Sequence, residues 1–237
     1  MKNNVPILFE DTLLDEIDFY GSQFSTVTLR RVRQGEGGVK FNDISAETIT
    51  FQNVDMTHGT AIARSQVRSV LINGGNFGTI FDDSIIGEVY IRDATLYYME
   101  FSEVKLPKVT ITNCKLYDTG LYDGYFDEFA VYNSEFNIIV GKNFKADIVL
   151  WDNVTLDGKI DLTNAQVKDF RPTRLKRGPR LNLITSGSNM RFWWYCNEDF
   201  FLFSEWRRPK IRQPSRWKMQ PVGCSRRCRP GYPEVLL

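Results

Sequence analysis

Six stretches of the chain superimpose on one another at a period of 20 residues. They read ITFQNVDM from Ile49, VLINGGNF from Val70, VYIRDATL from Val89, VTITNCKL from Val109, FAVYNSEF from Phe129 and VLWDNVTL from Val149. In five of the six an apolar pair at spacing two leads, an Asn or Asp follows two residues later, and a Leu, Met or Phe lies three beyond that. Phe51, Ile91, Ile111, Val131 and Trp151 therefore hold equivalent places, as do Asn53, Asp93, Asn113, Asn133 and Asn153. The Val70 copy arrives one residue late and has Gly74 in the Asn/Asp place, which predicts a one-residue bulge or insertion before it. Repeats at a fixed period in this range mean a solenoid, whose units bury their apolar faces only by stacking on neighbours.

The period divides by five. From Val89 to Leu156 the inward positions recur as pairs: Val89/Ile91, Ala94/Leu96, Met99/Phe101, Val104/Leu106, Val109/Ile111 and Cys114/Leu116, with the series continuing to Val154/Leu156. A helix needs a period near 3.6 and a simple strand a period of 2. A beat of five fits a chain that turns two side chains inward, rounds a corner, and repeats this four times per coil. The same beat runs through Phe9, Leu14, Phe19, Phe24 and Leu29. It slips at Gly35-Glu36-Gly37-Gly38, between Thr57 and Ser69, and near Asp157 to Lys159, where loops or bulges are expected. Val5 to Phe170 gives room for about eight coils, a rod roughly 40 Å long at the spacing of paired strands.

This pattern resembles the pentapeptide-repeat family, and the resemblance covers about 165 residues. It rests on small-then-large inward pairs such as Ala94-Thr95-Leu96, Ser134-Glu135-Phe136 and Ala165-Gln166-Val167, which lack the acidic or amide middle residue of the family's usual unit. The resemblance implies an all-β fold, a right-handed parallel β-helix of quadrilateral section. An ordinary right-handed β-helix of stacked strands is the other architecture compatible with the repeats.

Composition breaks at residue 171. Residues 1–171 carry 25 acids against 16 bases, a net of −9, and residues 172–237 carry 4 against 14, a net of +10. Four of the five Trp (Trp193, Trp194, Trp206, Trp217) and three of the four Cys (Cys196, Cys224, Cys228) fall after the break. Two domains are thus expected: a β-helix over 1–171 and a basic, irregular tail over 172–237. Such an excess of Trp, Cys, Arg and Pro is also what a shifted reading frame gives, which would make the chain a truncated relative of something longer. Leu181, Leu183 and Ile184 are the candidates to cover the last coil. No signal-peptide pattern precedes Glu10, and the tail's apolar runs are too short to span a bilayer. The expected location is cytoplasmic, or secreted without a cleaved signal.

Candidate sites are few. The Asn/Asp row has the chemistry of corner residues that bond local backbone or one another along the rod. Asp82/Asp83 and Asp123, Asp127, Glu128 are the acidic clusters, the equipment of glycosidases or calcium sites. Yet Leu121-Tyr122-Asp123-Gly124-Tyr125 has no calcium-loop spacing. His58 is the only histidine, so no His-based metal set can form, and no phosphate-binding or HExxH motif occurs. Cys224 and Cys228 with Cys196 lack a fourth zinc ligand in the tail. Cys114 falls on an inward position. Trp206-Arg207-Arg208 and Arg216-Trp217-Lys218 are what a single-strand nucleic-acid binder or a membrane-surface segment would use, and they make nucleic acid a partner for the basic tail only. Catalytic residues, cofactor and metal are therefore all expected to be absent.

The function expected is a non-enzymatic scaffold that presents the side of the solenoid to a protein partner. The family resemblance implies two partner settings: acidic rods that mimic duplex DNA and occupy DNA topoisomerases, and β-helical domains of bacterial effectors, of which this chain would be a truncated form. The rival from another class is a carbohydrate-active β-helix enzyme using Asp82/Asp83 or Asp123/Asp127.

Overall fold

A computed structural model describes residues 5–190. Every regular element in it is a strand, and all neighbours pair in parallel. One face of the stack is crossed by nine strands, three of which (Ser45–Ala63, Gln66–Asp82 and Ile85–Ser102) run on around the corners; the others are Val5–Glu10, Gln23–Arg30, Lys105–Thr112, Tyr125–Tyr132, Lys145–Asp152 and Gln166–Thr173. The protein is thus a parallel β-solenoid of nine turns, each with four short faces separated by corners.

The inward file of that face runs Phe9, Leu29, Phe51, Ile72, Ile91, Ile111, Val131, Trp151, Pro172, each paired with the next. Ile91, Ile111, Val131 and Trp151 are all buried. The remaining faces follow the same alternation, so Val104/Leu106, Val109/Ile111 and Cys114/Leu116 lie inside while Lys105, Thr110 and Lys115 point out. Five is the number that permits this: two inward residues straddle one outward residue, and two more round the corner. Burial raises the Cys114 thiol to about 11, so it sits in the core as a protonated apolar side chain.

The interior also holds polar groups. Ser134 follows a corner, donates to the Tyr132 carbonyl at 2.7 Å and accepts from the Cys114 amide at 3.0 Å. Thr60, Thr79 and Thr119 share one buried file with Met99 and Ile139.

The phase slips are bulges at corners. Gly35–Gly38 lengthens one turn, so that Leu29 pairs with Phe51. The insertion before the Val70 copy lies between Met56 and Thr60, where the register shifts and where His58 falls. A compensating deletion follows between Phe77 and Gly78.

The solenoid has nine turns where the sequence suggested about eight. The ninth crosses the composition break at residue 171: Lys176–Arg177 pairs with Thr155–Leu156, and Asn182–Ile184 pairs with Lys159–Asp161. Pro172 and Leu175 continue the inward beat, buried among exposed Arg and Lys. Leu183 and Ile184, expected to cover the last coil, are instead part of the ninth turn's own strand; Leu181 and Leu183 pack against the core, and Met190 is buried. The Trp, Cys and Arg groups from Trp193 onward lie outside the described residues.

Candidate functional site

Two corner columns carry the polar regularity of the rod. In the first, Asp11, Arg31, Asn53, Asp93, Asn113, Asn133, Asn153 and Arg174 all have φ between 49 and 55°. Gly74 fills the gap in this column at φ 73°. The second runs Asp43, Arg64, Asp83, Glu103, Asp123, Asn143, Asn164, again left-handed throughout. Only Gly, and next to it Asn and Asp, adopt this conformation cheaply, which explains the repeated residue type. The amides then form ladders between turns. Asn113 donates to Asp93 at 3.0 Å, Asn153 to Asn133 at 2.9 Å, Asn143 to Asp123 at 3.2 Å and Asn164 to Asn143 at 3.2 Å.

Of the two acidic clusters singled out in the sequence, this geometry leaves one at a corner and splits the other. Asp83 is a corner residue with Asp82 beside it. Asp123 belongs to the amide ladder, whereas Glu128 pairs with Lys108 at 3.3 Å. A whole face, with Gly124 and Phe126 turned inward, separates Asp123 from Asp127. Among the described residues no three His, Cys, Asp or Glu side chains are grouped so as to hold a metal ion. No helix among them is long and apolar enough to cross a membrane.

A different surface stands out. Around the corner between the second and third faces, Tyr97 and Tyr117 stack with ring centroids 5.3 Å apart and planes 12° from parallel, yet stay 47% and 41% exposed. The Tyr98 hydroxyl donates to Glu100. On the next turn Gly120 pairs with Glu100, and Tyr122 lies over it: a Cβ at Gly120 would stand 2.5 Å from the Tyr122 ring. Glycine is required at that place because the ring occupies it. Val140 and Asp161 continue the same outward column, and Ile138 is exposed on the neighbouring corner.

The electrostatics of this surface are lopsided. Several carboxylates elsewhere are matched, Glu10 and Asp11 by Arg31, Asp43 by Arg64, Asp147 by Lys168, Asp152 by Arg174 and Asp157 by Arg180, while others such as Asp82, Asp83, Asp93 and Glu103 stand outside any ion pair among the described residues. Glu100 and Asp118 have no cation within ion-pair distance among the described residues. Partial burial, and then the charge of Glu100, push the Asp118 carboxyl above its ordinary value. Burial raises Tyr98 as well, with the bond to Glu100 second. Tyr122 rises through burial and then through Glu100, Asp118 and Asp161. Three carboxylates therefore act on one tyrosine without a neutralising partner for two of them.

This surface escaped the sequence reading. The signal was present: residues 85–140 hold seven of the ten tyrosines and nine carboxylates against four bases. Outward positions follow no hydrophobic rule, so only clustering of residue types could have marked it.

The chain matches no known family of proteins, and no curated protein is similar to it.

Proposed function

We propose that this chain is a non-enzymatic interaction scaffold, a degenerate pentapeptide-repeat solenoid that presents its side to a protein partner. The observation that supports this reading best is the exposed tyrosine and carboxylate surface around Tyr97, Glu100, Tyr117 and Asp118, where large rings stay at the surface of the rod. Aromatic residues on a rigid surface are the usual anchors of protein recognition, because they lose little conformational entropy and offer a large contact area. A β-solenoid adds rigidity, since each strand is held on both sides. The degenerate five-residue beat and the four-faced turn support the family assignment. Asp123 is engaged by Asn143 in the amide ladder and Asp43 by Arg64, which leaves a glycan-cleaving reading fewer free carboxylates at these corners.

The test is capture of partners by the full chain, followed by the association rate of any purified partner at rising ionic strength. An acidic rod steers a basic partner through a field screened beyond about 8 Å at physiological salt, so the rate should fall as salt rises. A rate that stays flat removes the electrostatic part of the proposal. Turnover of a glycan, abolished by Asp82→Asn or Asp123→Asn, removes the whole of it.

A further inference from the structure

We infer that the surface formed by Tyr97, Tyr98, Glu100, Tyr117, Asp118 and Tyr122 docks an extended Lys- or Arg-rich segment of a protein partner. The inference rests on the scaffold reading above and names the site and the partner chemistry that reading leaves open.

The first argument is charge. Glu100 and Asp118 lie on adjacent turns, neither has a cation within ion-pair distance among the described residues, and partial burial followed by the charge of Glu100 raises the Asp118 carboxyl. Like charges held this close repel, and a cation placed between them relieves the repulsion that the fold leaves standing. A neutral sugar stacked on the tyrosines would instead deepen the desolvation of both carboxylates. The chemistry therefore selects a cation over a neutral ring.

The second argument is the aromatic frame. Tyr117 covers one side of Tyr97. The other side has no ring from the preceding turn, because Phe77 pairs with Leu96 and Gly78 with Tyr98, leaving Tyr97 without a counterpart. The one-residue deletion thus opens a tyrosine face, with a glycine as the nearest residue of that turn. Ammonium and guanidinium groups bind such faces, and do so more strongly with a carboxylate nearby. Tyr122, laid across Gly120, forms the far wall of the same surface.

The third argument is spacing. Asp118 lies on the turn after Glu100 and two positions earlier in register, since Gly120 is the partner of Glu100. Diagonal neighbours of this kind are on the order of 7 Å apart at the backbone. Alternate side chains of an extended strand are separated by about the same distance. Two basic residues at positions i and i+2 of an extended segment can therefore each meet one carboxylate.

The experiment uses the full chain and a fluorescein-labelled octalysine peptide, with binding read by anisotropy. The native chain should bind it, and the fully acetylated peptide should not bind. Glu100→Gln with Asp118→Asn, and separately Tyr97→Ala with Tyr117→Ala, should each weaken binding about tenfold, whereas Tyr97→Phe with Tyr117→Phe should preserve it. Glu88→Gln with Asp127→Asn removes the same charge from the diagonally opposite corner and should change the affinity less than twofold. All of these side chains are at least partly exposed, so each variant should keep a single cooperative thermal transition, lowered a little only where Tyr97→Ala with Tyr117→Ala removes the ring stack. Equal weakening by the two acid-to-amide pairs would overturn the site in favour of a general field. Unchanged binding after Tyr97→Ala with Tyr117→Ala, or displacement of octalysine by a neutral hexasaccharide, would overturn it too. A captured natural partner that every site variant still binds would overturn this surface and leave the scaffold reading standing.

Discussion

The turns between Val89 and Leu156 and the turns that flank them solve the same corner in different ways. In the regular run the left-handed corner residues are joined by amide ladders, Asn113 to Asp93 and Asn153 to Asn133. Toward the two ends arginines take the corner: Arg31 reaches Asp11, Arg64 reaches Asp43, and Arg174 reaches Asp152. A left-handed conformation costs an ordinary L-residue on the order of 1 kcal/mol, and Asn far less. An exposed ion pair recovers only part of that strain. The amide solution is short, needs no cation, and in three of its four bonds joins residues 20 apart. The ion-pair solution is long and adaptable, and it occurs where turns have lengthened or where the sequence has become basic. The difference suggests that the corner chemistry, more than the core, records where the repeat is regular.

The strongest test of that statement is in the core. Ile111 in the regular run and Ile62 beside a bulge are both fully buried. Ile111→Asp and Ile62→Asp should therefore each cost about 4 kcal/mol or more, measured by urea unfolding, because each leaves an unpaired charge in an apolar file. Lys115→Asp, on an outward position, should cost less than about 0.5 kcal/mol. A much smaller cost at Ile62 would mean that the irregular half has the weaker core, and the comparison would have to be redrawn.

Next in size is Gly75→Ala. Its φ of 89° suits glycine, and a Cβ there would lie 2.0 Å from the Val54 carbonyl oxygen. A loss of about 2–3 kcal/mol is expected, with the backbone forced to shift. Asn113→Ala removes a ladder donor and puts a strained residue in its place, for about 1 kcal/mol. Asn113→Gly should be closer to neutral, and that ordering distinguishes corner strain from hydrogen bonding. In the flanking turns the sign should reverse: Arg64→Asn offers Asp43 an amide and relieves the corner, and should raise the Tm slightly. A fall in Tm would show that the Arg64–Asp43 pair is worth more than the strain.

The smallest effect is a pH tilt confined to the ends. Hydrogen bonds from Arg31 hold Asp11 below its ordinary range, and hydrogen bonds from Arg180 do the same for Asp157. A carboxyl depressed in the folded state contributes stability that is present above its unfolded value, near 3.9, and lost as pH falls through the lowered folded value. Asp157→Asn should therefore flatten the acid side of the Tm profile, while Asn133→Asp should steepen nothing unless the ladder gains a charge partner.

Much of the fold was legible because the beat of five rules out a helix and a simple strand and leaves a stacked coil. Once Val109/Ile111 and Cys114/Leu116 are read as inward pairs, the file from Ile91 to Trp151 and the corner row follow by counting. The ninth turn was not legible, since its inward residues, Pro172 and Leu175, sit among Arg, Lys and Pro that erase the apolar contrast. The tyrosine surface was hidden for another reason. Its geometry depends on a deletion in the preceding turn and on Gly120 giving way to Tyr122, and neither is a property of the residues that do the recognising.

One feature of the register governs how the chain reaches this form. Paired residues are separated by one turn, about 20 positions, at every point of the rod: Thr110 meets Tyr90 and Ala130, and Leu150 meets Arg171. The loop to be closed is therefore the same length at each step, and its entropic cost does not grow as turns are added. Dividing that separation by the chain length gives a relative contact order near 0.1, closer to helical bundles than to β-sandwiches. A β-protein of this size would then fold by zipping outward from whichever pair of turns docks first. Amide exchange should be slowest around Ile85–Ser102, the turn furthest from both fraying ends, and faster with each turn toward Val5 and Ile184.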